Sequence, residues 1–293
     1  MKSLHRLRIF AAMLALSAAS LLLSGCSVLK VAYNAAPEAA YFWLNDFVDF
    51  TEPQAARVRD DLNRMAQWHR SEELPRYVAL MQRMERMAGG DVSAAQACEV
   101  TDAVRERITA MTDFVQPSLA DLARQMTPAQ VGDLRKRFER DDDKWRKDWL
   151  DTTPAELQQR RYKLWLERLE SIYGTLEDPQ RTMLRQQVNL SSWNPALTFA
   201  ERQRRQRDWL DTLTQLHTTR PADAQARAAI KGLLARSSES PDARWREQRD
   251  AVMQESCRVF ALVHASAKPA QRDAAVRRLR AYTRDLQELA AQR

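Results

Sequence analysis

Met126-Thr127-Pro128-Ala129-Gln130 is the stretch that shows how this chain is built. Threonine is a favoured helix N-cap, and proline fits the first turn because it has no N–H group to leave unpaired. Glutamine three residues after the cap can reach back to the N–H of the cap itself. The stretch therefore predicts the start of a helix. Similar capping boxes occur at Phe50-Thr51-Glu52-Pro53-Gln54 and Thr152-Thr153-Pro154-Ala155-Glu156. Leu176-Glu177-Asp178-Pro179-Gln180 follows the same pattern of letters more loosely.

The rest of the chain carries the same helical pattern. It has only six glycines in 293 residues, it lacks alternating β-branched runs, and most of its eleven prolines stand where a helix would begin. We therefore predict an all-α fold, a signal peptide followed by a bundle of about eleven helices with short loops. The helical domain is assigned to residues 37–293, with early helices at 53–69, 75–88 and 91–115.

The N-terminal segment has the layout of a signal peptide. Lys2, Arg6 and Arg8 precede an apolar run, Ile9 to Leu23, that is too short to span a bilayer comfortably as a helix. Leu23-Ser24-Gly25-Cys26 then resembles the lipobox of bacterial lipoproteins. The resemblance implies lipid on Cys26, cleavage of residues 1–25 and a lipidated tether over residues 26–36. The alternative is an ordinary secretory signal with an incidental cysteine.

The lipobox decides the predicted location. Acyl chains on Cys26 would anchor the protein to a membrane, each buried methylene contributing about 0.8 kcal/mol. Ser27 follows the cysteine, and by resemblance to lipoproteins of diderm bacteria a residue other than Asp there favours the outer membrane, on its periplasmic side.

Removing the signal leaves 43 basic and 39 acidic residues, a net charge of +4. Acids and bases alternate along most segments, so no nucleic-acid partner is predicted.

Two cysteines remain once Cys26 is lipidated. Cys98 and Cys257 each lie in an apolar helical pattern, and an even pair in an oxidising compartment predicts a disulfide. The alternative is two separate buried thiols.

Several stretches resemble known families. Trp43-Leu44-Asn45-Asp46-Phe47-Val48-Asp49, Trp68-His69-Arg70 and Glu73-Leu74-Pro75-Arg76-Tyr77, with the lipobox ahead of them, resemble a proteobacterial lipoprotein family known only as a domain of unknown function. That resemblance implies no activity and no cofactor. The capping boxes also resemble the L-T-x-x-Q elements of Spy- and CpxP-type periplasmic chaperones, although helix capping explains the same letters without a function.

An aromatic block follows the predicted tether. Tyr41-Phe42-Trp43-Leu44 is suited either to the headgroup region of a bilayer or to the first core helix. The nearby Asp46 and Asp49 would be costly to bury in lipid, and they favour the core helix.

A candidate binding surface combines tryptophans with a basic run. Trp145 and Trp149 lie one helical turn apart, and Arg202, Arg204, Arg205 and Arg207 follow on a later helix. Indoles offer contact area for a ligand, and dispersed cations speed encounter with anionic partners. The alternative is that the tryptophans fill the core and the arginines form a solvated helix face.

A candidate catalytic site is the competing hypothesis. Asp46, Asp49, His69 and Glu73 would form a carboxylate–histidine site for an enzyme acting on envelope material. However, the chain has no H-E-x-x-H, C-x-x-C or P-loop pattern, so no metal and no cofactor are predicted. The sequence favours a binding, chaperone-like or scaffold protein without catalysis, whose partners are envelope proteins or unfolded clients.

Overall fold

A computed structural model describes residues 28–292, and within them helix is the regular secondary structure, which confirms the all-α prediction. The predicted signal peptide and Cys26 lie outside the described residues. This described part of the chain has eleven α-helices: α1 Val28–Val48, α2 Glu52–Trp68, α3 Leu74–Ala88, α4 Ala94–Gln125, α5 Pro128–Trp149, α6 Pro154–Tyr173, α7 Asp178–Leu190, α8 Pro195–Thr219, α9 Asp223–Ser238, α10 Ala243–Ala265 and α11 Pro269–Ala291.

The helix starts follow the predicted capping chemistry. At α5, the Gln130 amide N–H donates to Thr127 Oγ1 (3.2 Å), and the Thr127 amide N–H donates to Gln130 Oε1 (2.9 Å). Proline occupies the first turn of α2, α3, α5, α6, α7, α8 and α11. The prolines therefore mark helix starts along most of the chain.

The helices expected at 53–69 and 75–88 are present with nearly these bounds, Glu52–Trp68 and Leu74–Ala88. They are joined without a loop, because the π-helical turn His69–Glu73 continues the backbone between them and widens it just before Pro75. The helix expected at 91–115 continues through Pro117 to Gln125 as α4. Ala120 and Ala123 near its end are fully buried, and this packing offsets the hydrogen bond that Pro117 cannot make. The segment assigned to a tether over residues 26–36 is helical from Val28 onward, as the start of α1.

Two hydrophobic cores lie along the molecule. The first is formed by α3, α6, α7, α10 and α11 around Leu184 and Val263, both fully buried. The second is formed by α4, α5, α8 and α9 around Ile230 and Leu233. α4 has 32 residues, about 48 Å of helix, and it links the two regions.

A disulfide joins Cys98 on α4 to Cys257 on α10, as predicted. Cys257 is buried beside the first core, whereas the far end of α4 packs in the second. The bridge therefore fixes α4 against the first core at a point 159 residues away along the chain.

Candidate binding groove

An open groove lies where α1, α5, α8 and α10 meet. It has a volume of about 590 Å³, and its walls combine aromatic rings with guanidinium groups. The lining includes the aromatic side chains Trp43, Phe47, Phe138, Trp145, Trp209 and Trp245, and the basic side chains Arg137, Arg202 and Arg205. We refer to this site as the aromatic–arginine groove.

Trp145 is held in place by ring stacking. Its indole lies 5.2 Å from the ring of Phe199 with the two planes 15° apart, and both residues are on long helices, α5 and α8. On the other side of the groove Arg205 lies over the ring of Trp245, 5.8 Å from its centroid. The aromatic surface is therefore presented by regular helices rather than by loops, which keeps its geometry fixed.

Buried carboxylates position the arginines of the groove. Arg202 donates to Asp142 Oδ1 (2.6 Å), and Arg205 donates to Glu201 Oε1 (2.7 Å). Asp142 and Glu201 are 9% and 4% exposed, so the charges of these arginines are largely neutralised where they stand. Arg137 forms ion pairs with Asp46 and Asp141. The groove thus offers oriented guanidinium groups without a large net positive charge.

Glu201 is the anchor of this arrangement. Burial raises the pKa of its carboxyl group, but hydrogen bonds from Arg204, Arg205 and Ser240 outweigh burial and hold the pKa below its usual value. Ser240 Oγ donates to Glu201 Oε2 over 2.8 Å. Glu201 is therefore an ionised acceptor that fixes two arginines and the segment before α10 at once.

The groove contains only part of the predicted surface. Trp145, Arg202 and Arg205 line it, whereas Trp149 lies one turn further along α5 and makes an edge contact with Trp193 at 5.6 Å. Arg204 is turned toward Glu201 and the Arg236 carbonyl group. Arg207 is exposed and does not line the groove. The basic run is therefore mostly ion-paired and half-buried, unlike the solvated helix face that was the alternative to a binding surface.

The four residues of the alternative catalytic site do not come together. Asp46 and Asp49 lie around the end of α1, next to the start of α2. His69 and Glu73 follow the other end of α2, whose 17 residues extend about 25 Å. This distance separates the two carboxylates near α1 from the histidine.

His69 and Glu73 instead have structural partners. His69 Nδ1 lies 2.9 Å from the Tyr33 hydroxyl group, and burial lowers the pKa of His69 although the charge of Glu73 opposes that effect. Glu73 is fully buried and accepts a hydrogen bond from Arg76 (2.7 Å), with Arg107 3.5 Å away. These contacts connect the π-helical turn to α1, α3 and α4.

Sequence reasoning missed six residues of the groove: Trp43, Phe47, Arg137, Phe138, Trp209 and Trp245. They come from four helices spread over 200 residues of sequence, so no local pattern links them. The one available signal was compositional, since eight tryptophans are many for a chain of this length.

Residues 28–292 hold neither a cluster of metal ligands nor a helix suited to crossing a membrane. No cluster of histidine, cysteine and carboxylate side chains in that part of the chain is arranged to hold a metal ion. No helix among the same residues combines the length and apolarity that crossing a membrane requires.

Comparison with known proteins gives a family and no relative of known activity. No curated protein and no solved structure matches this chain. The model of a family described as a family of unknown function (DUF6279) matches residues 46–249, more than half of the chain. The match includes Trp68-His69-Arg70 and Glu73-Leu74-Pro75-Arg76-Tyr77, on which the resemblance to a domain of unknown function rested, whereas the lipobox lies outside it. The chain therefore belongs to this family of unknown function.

Proposed function

We propose that the protein is a lipid-anchored helical binding protein of the bacterial envelope, held in the outer membrane and facing the periplasm. Its clients would be unfolded or extended polypeptides, which it binds in a chaperone-like manner. The aromatic–arginine groove is the observation that carries this proposal. The lipobox Leu23-Ser24-Gly25-Cys26 supports the location.

The chemistry of the groove suits extended polypeptides. Aromatic rings supply contact area for apolar side chains, and arginine and tryptophan are the residue types that dominate binding hot spots. Guanidinium groups fixed by Asp142 and Glu201 would bind carbonyl or carboxylate oxygens of the client.

The proposal contains no catalytic step. Asp46 and Asp49 are placed apart from His69 and Glu73, so the alternative enzyme would lack the convergence of groups on which acid–base catalysis depends.

Two tryptophans one turn apart provide the test. Trp145 lines the groove and Trp149 does not, while both are half-buried on α5. A permanently unfolded client, reduced and carboxymethylated α-lactalbumin carrying a fluorescent label, would be titrated with each purified variant. Trp145→Ala should weaken binding by about 1 to 3 kcal/mol, as expected of an interface anchor. Trp149→Ala should bind like the wild type.

Client binding is measured at a temperature where circular dichroism shows that both variants are folded. Equal loss of binding in the two variants would mean that the groove is not the binding site. No binding of the client by the wild-type protein would remove the chaperone-like function itself.

A further inference from the structure

The exposed apolar side chains of this protein are concentrated on α1. Nine large hydrophobic residues are exposed within the described chain, and four of them lie on this single helix of 21 residues. They are Val28 (85% exposed), Val31 (59%), Phe42 (62%) and Trp43 (60%). Such a concentration on one helix is unusual for a surface in contact with water alone.

These residues share one face of the helix. At 100° per residue, Val28, Val31, Phe42 and Trp43 fall within an arc of about 120°. The same arc contains three exposed alanines, Ala32, Ala35 and Ala39, and one exposed charged residue, Asp46, near the C-terminal end of the helix. We call the seven apolar residues of this arc the outer face of α1.

The opposite face of α1 packs against the protein. Tyr41 is buried, with the guanidinium group of Arg59 3.5 Å from its ring centroid, and Tyr33 contacts His69. The sequence analysis treated a core helix and a headgroup contact as alternatives for the aromatic block, but the two do not exclude each other. α1 is apolar on both sides, and only one of the two is covered by the protein.

The charged residues of α1 are ion-paired with other helices. α1 contains three such residues, and each forms an ion pair with a different helix: Lys30 with Glu288 of α11, Glu38 with Arg59 of α2, and Asp46 with Arg137 of α5. Lys30 lies outside the arc of the outer face, Glu38 lies at its edge, and Asp46 lies within it. Asp46 is therefore the one charged residue in the arc, and its charge is offset by Arg137.

We infer that the outer face of α1 lies in the interfacial region of a lipid bilayer, with the helix parallel to the membrane surface. The inference rests on the lipid anchor of the proposed function, because α1 begins two residues after Cys26, a distance of at most about 7 Å. An anchored cysteine would hold the start of the helix at the bilayer. Helices with such a face lie in the headgroup region, where tryptophan is a favoured residue.

Docking of α1 would also orient the binding site. Trp43 belongs both to the outer face and to the rim of the aromatic–arginine groove. The groove would therefore open beside the membrane surface, and the anchored protein would meet its clients there.

Photo-crosslinking tests the inference on the full lipidated protein. Benzoylphenylalanine would replace Phe42 in one variant and, as a control, Leu190 in another. Leu190 is 77% exposed at the end of α7, which packs against α6 and α10. Both proteins would be reconstituted into vesicles of phosphatidylethanolamine and phosphatidylglycerol and irradiated. Lipid adducts are expected at position 42 and at least fivefold fewer at position 190.

A charged residue on the outer face gives a second readout. Ala39→Glu, added to the variant with the probe at position 42, should lower the yield of lipid adducts several-fold while leaving the melting temperature unchanged, because Ala39 is exposed. An unchanged yield would contradict the inference.

The remaining outcomes separate the anchor from the docking of α1. Vesicle-bound protein without lipid adducts at position 42, or with equal yields at both positions, would contradict the docking and leave the anchor intact. Adducts to a second copy of the chain would show that the outer face is a dimer interface instead. Absence of both variants from the vesicles would contradict the anchor, and the docking with it.

Discussion

Gln54 and Gln130 exchange side-chain hydrogen bonds across the contact between the starts of α2 and α5. Gln130 Nε2 donates to Gln54 Oε1 (2.6 Å), and Gln54 Nε2 donates to Gln130 Oε1 (3.3 Å). Each side chain also donates to a backbone carbonyl group at the partner helix start, Gln54 to Gln125 O and Gln130 to Asp49 O, both at 3.1 Å. Each capping glutamine thus forms hydrogen bonds both at the start of its own helix and at the start of the neighbouring helix.

The same arrangement occurs a second time in the chain. Gln180 of α7 and Gln271 of α11 exchange amide hydrogen bonds of 2.9 and 3.0 Å. They also donate to the carbonyl groups of Ser266 and Thr175. The first glutamine pair connects helix starts beside the second core, and the other connects helix starts in the first core. Two pairs of helix N-termini are therefore joined by the same chemistry.

Loss of a paired glutamine should be far more costly than loss of an unpaired one. Gln130→Ala would leave the Gln54 amide group and the Asp49 carbonyl group without their partner in a buried site, and we expect a loss of about 2 to 4 kcal/mol in the free energy of unfolding. Gln96→Ala is the matched control, because Gln96 caps α4 in the same way (2.9 Å to the Ser93 amide) but is exposed. It should cost at most about 1 kcal/mol. Urea denaturation of both variants measures the difference, and equal losses would mean that pairing adds nothing to capping.

The Cys98–Cys257 disulfide should contribute strongly to stability. It closes a loop of 159 residues, and in the loop-closure model such a bridge contributes about 5 kcal/mol through the entropy of the unfolded chain. The double variant Cys98→Ser, Cys257→Ser should therefore unfold at a clearly lower urea concentration than the oxidised protein. Protein from the periplasm should show neither cysteine free to alkylation after denaturation. Alkylation of both without reductant would contradict the bridge in the cell.

Lipid attachment should depend on Cys26 alone. Cells fed radioactive palmitate should label the wild-type protein, and Cys26→Ser should abolish the label and leave the signal peptide uncleaved. The disulfide variant Cys98→Ser, Cys257→Ser serves as the control, since it retains Cys26 and should be labelled normally. Equal labelling of Cys26→Ser and the wild type would contradict the lipobox.

Trp149 should act mainly in packing. Its indole contacts Trp193 at 5.6 Å, and the guanidinium group of Arg160 lies 5.6 Å from its ring centroid. Because the residue is half-buried, Trp149→Ala should cost about 2 kcal/mol of folding stability, less than a fully buried tryptophan would. A thermal melt beside the wild type measures this. An unchanged melting temperature would show that the contact with Trp193 contributes nothing.

The stability of the protein should fall as His69 gains a proton. Burial lowers the pKa of His69 from 6.5 in the folded chain, so the unfolded chain binds this proton more readily than the native chain does. The contribution of His69 to stability should be complete above about pH 6.5 and decline as the pH falls below that value, by at most about 1.4 kcal/mol per pH unit. His69→Gln retains an acceptor for Tyr33 but does not titrate. Its unfolding free energy should depend less on pH between 7 and 5, and identical slopes would contradict a titrating His69.

The sequence by itself determined the helices, because their signals are local. In Thr127 to Gln130, for example, the N-cap threonine, the proline and the glutamine that accepts from the cap N–H all fall within four consecutive residues. Their hydrogen bonds therefore do not depend on the rest of the chain. The corresponding Gln271, whose Oε1 accepts from the Lys268 amide N–H (3.0 Å), was not predicted, because lysine stands at the cap and its side chain cannot accept a hydrogen bond as threonine does. Yet Pro269-Ala270-Gln271 repeats Pro128-Ala129-Gln130. The disulfide could also be predicted, since only two cysteines remained to pair.

Only the tertiary structure decided which helices meet. The pairing of Gln54 with Gln130, the meeting of Trp43 with Trp245 in one groove and the separation of Asp49 from His69 all depend on how helices far apart in sequence pack. The pattern of apolar residues shows that α1 has two apolar sides, but only packing decided which of them stays exposed. The physical reason is that capping energies arise within one helical turn, whereas a groove or an uncovered face results from the packing of side chains from several helices at once.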